Sequence, residues 1–283
     1  MNARQVTIIG AGTMGNGIAQ ASAVSGVDVT MIDVSEEVAQ RGLDTISGSL
    51  DRLVKKEKLS ADDKEAALAR ITPSADYNAV SGADVVIEAA TENRDLKVEI
   101  LRRIDPLLGA DAILATNTSS ISITELAATL SHPQRFIGMH FFNPVAMMKL
   151  VELIRGLQTS DDTHQRALAF VQHVGKEPIT VQNSPGFAVN RILCPMINEA
   201  VFAYQEGLAS AEDIDTGMKL GCNHPIGPLA LADLIGLDTL LSVMQVFYDG
   251  FNDPKYRPAP LLKEMVAAGY LGRKSGRGFY EYQ

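Results

Sequence analysis

Hydrophobic and polar positions along this chain fall into two rhythms, and the change between them divides it. Val6 to Ile9 is a β-branched run of the kind expected for a strand buried on both faces of a parallel sheet, and it leads directly into Gly10-Ala11-Gly12-Thr13-Met14-Gly15. Helical spacing follows from Met14 to Ser25, Gly26 stops it, and a second strand from Val27 to Ile32 ends at Asp33. A helix is predicted from Ser35 to Lys58, with Ser35 as N-cap and Glu36 and Glu37 in the first turn. A shorter helix, Ser60 to Arg70, pairs with it as a hairpin expected to project from the sheet, covering residues near 35–70.

Strand patterns recur at Ala83–Ala89, Ala112–Thr116, Phe136–Phe141, Leu150–Ile154 and Pro178–Val181, with amphipathic helices such as Arg94–Leu107 and Asp161–Val174 between several of them. After Asn183-Ser184-Pro185-Gly186 the chain reads as helix: Phe187–Glu206, Ala211–Leu220, Leu229–Phe247 and Leu261–Ala268, with no strand signal before Gly278-Phe279-Tyr280. The alternation predicts an α/β fold with a doubly wound, largely parallel Rossmann-type sheet over residues 1–183 and an all-helical C-terminal domain over 184–283.

Composition narrows the function. At 283 residues and 46% hydrophobic content the chain has enough apolar residues for two cores, yet glycine, proline and charge interrupt every window of about 20 residues long enough to span a membrane. No membrane partner is expected. A net charge of -9 makes nucleic acid an unsuitable partner, and any anionic ligand must be drawn by a local basic patch. The opening MNARQVTIIG leaves no room for a targeting segment, so the expectation is a cytoplasmic bacterial protein, or a processed organellar one. Two cysteines, Cys194 and Cys222, do not make a disulfide framework, and Cys222 with His224 lacks a second ligand pair, so no metal is expected.

The first strand, glycine turn, helix, strand and terminal acid form one mechanical unit. Gly10 permits the tight turn, Gly12 lets backbone amides approach a pyrophosphate at the helix N-terminus, and Gly15 lets the helix pack on the strand. Asp33 stands where a carboxylate accepts hydrogen bonds from an adenosine ribose and repels a 2′-phosphate, which points to NAD. A glycine turn without ligand and a methyl-donor site are the competing readings.

Three later segments sit where ligands of such a sheet bind or lead into the helical domain: Asn117-Thr118-Ser119-Ser120, His140-Phe141-Phe142-Asn143-Pro144, and Asn183-Ser184-Pro185-Gly186-Phe187 through Asn190-Arg191. With GAGTMGNGIAQ, the acid at Asp33, EAATEN from Glu88 to Asn93, LVELI and NSPGFAVNRILCPMINEA, the chain resembles the 3-hydroxyacyl-CoA dehydrogenase family over essentially its whole length, and within it the short-chain 3-hydroxybutyryl-CoA dehydrogenases. The resemblance implies a His140–Glu152 pair, Ser119 and Asn190 on the substrate's oxygens, and cofactor contacts at Asp33, Glu92, Lys97 and Asn117 beside the turn residues Gly10, Gly12, Thr13, Met14 and Gly15. It implies acyl-CoA as substrate, NAD as cofactor and a homodimer formed by the helical domain. Ala146 departs from it, standing where proline occurs in many relatives.

The residue types suit the chemistry. Removing hydride from a secondary alcohol requires a base near neutrality at the hydroxyl, and histidine is the ordinary side chain that starts there. Of five histidines, His132, His164 and His173 fall on or beside polar helical segments and His224 in a turn, whereas His140 ends an apolar strand. Glu152 interrupts the apolar strand Leu150–Ile154, which is costly unless it is paired, or unless that strand is an exposed edge. Ser119 and Asn190 also read as a turn serine and a helix-start asparagine, and Cys194 as a small core residue. Lys55, Lys56 and Lys58 cluster at a helix end, either complementing its dipole or, for Lys55 and Lys56, meeting the CoA phosphates. Dehydrogenation of a sugar acid or other small hydroxy acid, and a non-catalytic NAD-binding protein, are the alternative functions.

Overall fold

The computed structural model describes residues 3–282, and the chain divides into two compact units at Asn183–Ser184. In the first unit, β1 (Gln5–Ile9), β2 (Asp28–Ile32), β3 (Ile71–Ser74), β4 (Val85–Glu88), β5 (Ile113–Thr116), β6 (Phe136–Phe141), β7 (Leu150–Arg155) and β8 (Glu177–Gln182) form one sheet ordered β3-β2-β1-β4-β5-β6-β7-β8. All neighbours are parallel except β6 and β7. The order reverses at β1, whose partners β2 and β4 lie on opposite sides, so the ligand crevice belongs beyond the carboxyl ends of β1 and β4.

Helices α1 (Thr13–Val24), α2 (Glu36–Lys55), α3 (Ala61–Ala69), α4 (Arg94–Ile104), α5 (Ile123–Ala127) and α6 (Asp161–His173) complete the unit. Strand β3, absent from the hydrophobic pattern, is a short edge strand containing Pro73, which an edge tolerates because one row of its donors has no ladder partner. The α2–α3 hairpin does not project freely. Ile46 and Leu50 of α2 and Ala67 of α3 join the same core as Val6, Val29 and Met31. Only its tip stands out, with Lys55, Lys56 and Lys58 exposed. Helix α4 ends at Ile104 rather than Leu107, because Pro106 carries the chain into a single tight 3-10 turn.

The second unit contains α7 (Val189–Gln205), α8 (Ala211–Gly221), α9 (Pro228–Ile235), α10 (Leu237–Phe251) and α11 (Pro260–Ala267), packed on Ile197, Leu229, Leu240, Met244 and Phe247. Helix α7 starts two residues later than the pattern suggests, after Gly186 and Phe187 at φ +71° and +56°; a side chain on Gly186 would meet the Phe247 ring at 2.0 Å. The single helix expected from Leu229 to Phe247 is two, bent by 98° at Gly236, whose φ of +100° few other residues adopt. Tyr280 and Tyr282 close the chain against two buried acids: Asp233 accepts from the Phe279 and Tyr280 amides and the Tyr282 hydroxyl, and Asp215 accepts from the Tyr280 hydroxyl. Among the described residues no single helix is long and apolar enough to cross a membrane.

Candidate active site

The glycine turn has the shape that its residues predict. Gly10 sits at φ +103°, and a Cβ there would lie 2.6 Å from the Ala90 Cα, so the turn closes against the end of β4 only with glycine. At Gly15 a Cβ would fall 1.7 Å from the Gly10 carbonyl oxygen, which sets how closely α1 approaches β1. Gly12, by contrast, meets nothing within 4 Å and is the N-cap of α1 with no side-chain cap. The first-turn amides of α1 are therefore left to an anion rather than to a protein carboxylate.

Two recesses flank this turn. One, of about 270 Å³, is lined by Gly12, Thr13, Met14, Ala89, Glu92, Lys97 and Asn117 among others. The other, of about 280 Å³, takes in Gly10, Ile32, Asp33, Val34, Tyr77, Leu96 and Ile100. An uncapped amide cluster, an acid at the end of β2 and a recess beside it with walls from Ile32, Leu96 and Ile100 match the pyrophosphate, ribose and adenine of a dinucleotide, so these residues fit NAD. Asp33 has a further duty that spacing does not reveal. Its Oδ2 accepts from the Ala11 amide at 2.6 Å and its Oδ1 from the Val34 amide at 2.7 Å, pinning the glycine turn to β2.

Glu92 and Lys97 are both engaged within the protein. Glu92 Oε1 accepts from the hydroxyls of Thr118, Ser119 and Ser120 at 2.8, 2.9 and 3.0 Å, and from the Ser119 and Ser120 amides at 2.8 and 3.1 Å. It thereby shapes the turn after β5 and orients the Ser119 hydroxyl. Lys97 is buried, 1% exposed, and its Nζ pairs with Glu88, 0% exposed. Glu88 also accepts from the Thr116 hydroxyl at 2.7 Å and the Ala90 amide at 2.9 Å, so a closed buried network underlies the recess floor. Asn117 Oδ1 accepts from the Phe141 amide at 2.8 Å, tying the end of β5 to the end of β6.

The sheet register explains why His140 meets a carboxylate twelve positions later. Strands β6 and β7 run antiparallel with His140 directly opposite Glu152, and paired positions share a face. The His140 Nδ1 lies 2.7 Å from Glu152 Oε2, the His140 side chain is 8% exposed and Glu152 is fully buried. Strand β8 covers the far side of β7, so Glu152 is not on an edge. With Nδ1–H directed at the carboxylate, the neutral ring carries its lone pair on Nε2 and can take a proton there, and the carboxylate then balances the imidazolium. The Phe142 ring packs 4.5 Å from the imidazole, centroid to centroid.

Lys176 was not singled out by its position in the sequence. Its Nζ donates to the Val145 and Met148 carbonyls, holding the exposed loop that carries Ala146, and burial lowers its pKa. The Gly175-Lys176 pair before β8 carries no chemical motif, so pattern alone offered no signal. Ser119 is half-buried in the first unit; Asn190, also half-buried, lies in the first turn of α7 in the second. Lys55 and Lys56 stand exposed at the tip of the α2–α3 hairpin. Cys194 is buried and its thiol is pushed up to about 12 by desolvation, as suits a core residue.

Comparison with known proteins agrees with this geometry. Residues 5–184 match the family model described as 3-hydroxyacyl-CoA dehydrogenase, NAD binding domain, and residues 186–282 match its C-terminal domain. The chain is 50% identical over 280 residues to a 3-hydroxybutyryl-CoA dehydrogenase of Bradyrhizobium diazoefficiens, covering 99% of this chain and 96% of that one. It is 47% identical over 278 residues to one of Clostridioides difficile, covering 98% and 99%. The crystal structure of an (S)-3-hydroxybutyryl-CoA dehydrogenase from Ralstonia eutropha superposes with a TM-score of 0.98 at 66% identity, covering all of both chains. The glycine cradle, the buried His140–Glu152 pair and both matched domains lead to one assignment: the chain belongs to the 3-hydroxyacyl-CoA dehydrogenase family, as an NAD-dependent oxidoreductase.

Proposed function

We propose that this enzyme interconverts (S)-3-hydroxybutyryl-CoA and acetoacetyl-CoA, and that it works as a cytoplasmic homodimer. The observation carrying the chemistry is the buried His140–Glu152 pair at 2.7 Å, in the same unit as the glycine turn. Bound NAD supplies the hydride acceptor. As the substrate's C3–H bond breaks and its electron pair leaves as hydride, the hydroxyl proton passes to His140 Nε2 and the C3–O bond becomes a carbonyl. Glu152 holds the ring in the tautomer that can receive that proton and stabilises the resulting cation. Ser119 and Asn190 are assigned to the substrate's oxygens by the family pattern. Since Glu92 accepts the Ser119 hydroxyl hydrogen, Ser119 presents lone pairs, which suits receiving a hydrogen bond from the alcohol.

Lys55 and Lys56 are the groups we assign to the CoA phosphates, because an acidic chain needs a local cation cluster to hold such a ligand. For the dimer, the second unit offers an apolar groove of about 480 Å³ lined by Met196, Ala200, Ala203, Leu208, Ile214 and Met218 among others. The function is tested by kcat/KM for 3-hydroxybutyryl-CoA, free 3-hydroxybutyrate and a panel of sugar acids with NAD. Turnover of the CoA ester at least about a thousandfold above the free acids is expected, since remote binding energy from the CoA moiety is realised in the transition state. Equal or better turnover of a free hydroxy acid would assign the enzyme to another substrate class.

A further inference from the structure

The adenosine recess contains a cation that the sequence places nowhere near it. Arg103 comes from the last turn of α4 and Tyr77 from the 3-10 turn at Tyr77–Gly82, yet both line the recess that holds Asp33. The Arg103 guanidinium carbon lies 4.0 Å from the Tyr77 ring centroid, so this exposed side chain rests over an aromatic face. Among the described residues, no carboxylate stands within 4.0 Å of it, and its donors are not committed to an ion pair. Asp33, for its part, is fixed by the Ala11 and Val34 amides and is held against swinging aside for a second anion.

We propose that Arg103 is a second determinant of cofactor selectivity, a stacked cation in the adenosine recess that offsets Asp33 and moderates the rejection of a 2′-phosphorylated dinucleotide. Glu99, one turn earlier on α4, lines the same recess. Two carboxylates thus oppose one guanidinium, which leaves the recess net negative and selective for NAD, with Arg103 setting how strongly. The Tyr77 hydroxyl lies in the field of these groups: burial raises its pKa most, Arg103 acts to lower it, and Asp33, the buried Glu88 and Glu99 act to raise it. A single Asp33 substitution therefore meets a cation already in place for a phosphate, and it should open the site to NADPH further than removal of a negative charge alone would.

Dissociation constants of NADH and NADPH, measured by fluorescence titration at low salt, test this without any acyl-CoA and so stand apart from the substrate assignment. In Arg103→Gln the NADPH-to-NADH ratio of dissociation constants should rise about three- to tenfold, the scale of one screened unit charge near a phosphate. Arg103→Lys keeps the charge but gives up the planar group that lies over Tyr77, so its ratio should fall between those of the parent and Arg103→Gln. Asp33→Ser should narrow the ratio, and adding Arg103→Gln to it should reverse much of that gain. At about 0.5 M salt the Arg103→Gln effect should shrink, because the Debye length falls to a few ångströms. Identical ratios in parent and Arg103→Gln in both backgrounds would overturn the proposal, as would Arg103→Lys shifting the ratio as far as Arg103→Gln, since shape rather than charge would then be responsible.

Discussion

Replacing Lys97 by methionine should damage stability and cofactor binding through separable routes. Lys97 and Glu88 are 1% and 0% exposed and form a buried ion pair. Without the lysine, the Glu88 carboxylate keeps two neutral donors, the Thr116 hydroxyl and the Ala90 amide, and no counter-charge. Breaking a buried pair from one side costs about 3–5 kcal/mol. The two surviving hydrogen bonds, and a methionine that refills most of the lysine's volume, place the expected loss near the lower end, at about 3 kcal/mol. At about 2–4 °C per kcal/mol for a unit of this size, that is roughly 6–12 °C in Tm. Urea unfolding of Lys97→Met and of Lys97→Met with Glu88→Gln reads it directly. The double variant replaces the pair by neutral groups and should recover to within about 1 kcal/mol of the parent. If Lys97 also contacts NAD, NADH affinity stays weakened in the double variant while stability returns. A loss below about 1 kcal/mol in the single variant, or no recovery in the double, would show that Glu88 does not depend on Lys97 as its counter-charge.

His164 is buried against Thr180 with its pKa lowered, chiefly by burial and then by Arg155. A histidine whose folded pKa is depressed gives up stability as pH falls below its unfolded value of about 6.5, so Tm should drop on acidification, and less steeply in His164→Gln; equal slopes by calorimetry would contradict this. In the native protein a thiol reagent should titrate only the exposed Cys222, with Cys194, pushed to about 12, reacting after denaturation. Fast reaction of both in the native state would show that α7 opens readily. Lys55→Ala with Lys56→Ala should raise the KM for acetoacetyl-CoA about three- to thirtyfold at low salt, from two exposed charges worth up to about 1 kcal/mol each, with the NADH dissociation constant unmoved. An unchanged KM would send the search for the CoA phosphate site elsewhere.

The parts legible in the sequence are those written in local pattern. Strand β1, the glycine turn and Asp33 could be read because each residue's role depends on neighbours within about thirty positions. Strand β3 could not, since Ile71-Thr72-Pro73-Ser74 is too short for alternation and contains a proline that only an edge tolerates. The 98° bend between α9 and α10 hides in a continuous apolar run, where the one sign of it is Gly236. Lys97 stands among the cofactor contacts that the resemblance implies, but nothing in its helix shows that it is buried against Glu88, and Glu92's grip on Ser119 joins segments whose contact only the sheet creates. The same holds for Arg103 and Tyr77, which no motif connects. His140 and Glu152 were legible as residue types, but their 2.7 Å contact depends on the β6–β7 register.

We assign the proton exchange at the substrate's oxygen to His140, and steady-state reduction of acetoacetyl-CoA by NADH in His140→Gln, with NADH binding measured on the same preparation, puts that assignment to the test. The NADH dissociation constant should stay within about twofold of the parent and kcat should fall about 100- to 10,000-fold, the usual contribution of a positioned acid–base group. A kcat within about tenfold of the parent at matched cofactor occupancy would contradict it and move the proton transfer to another residue.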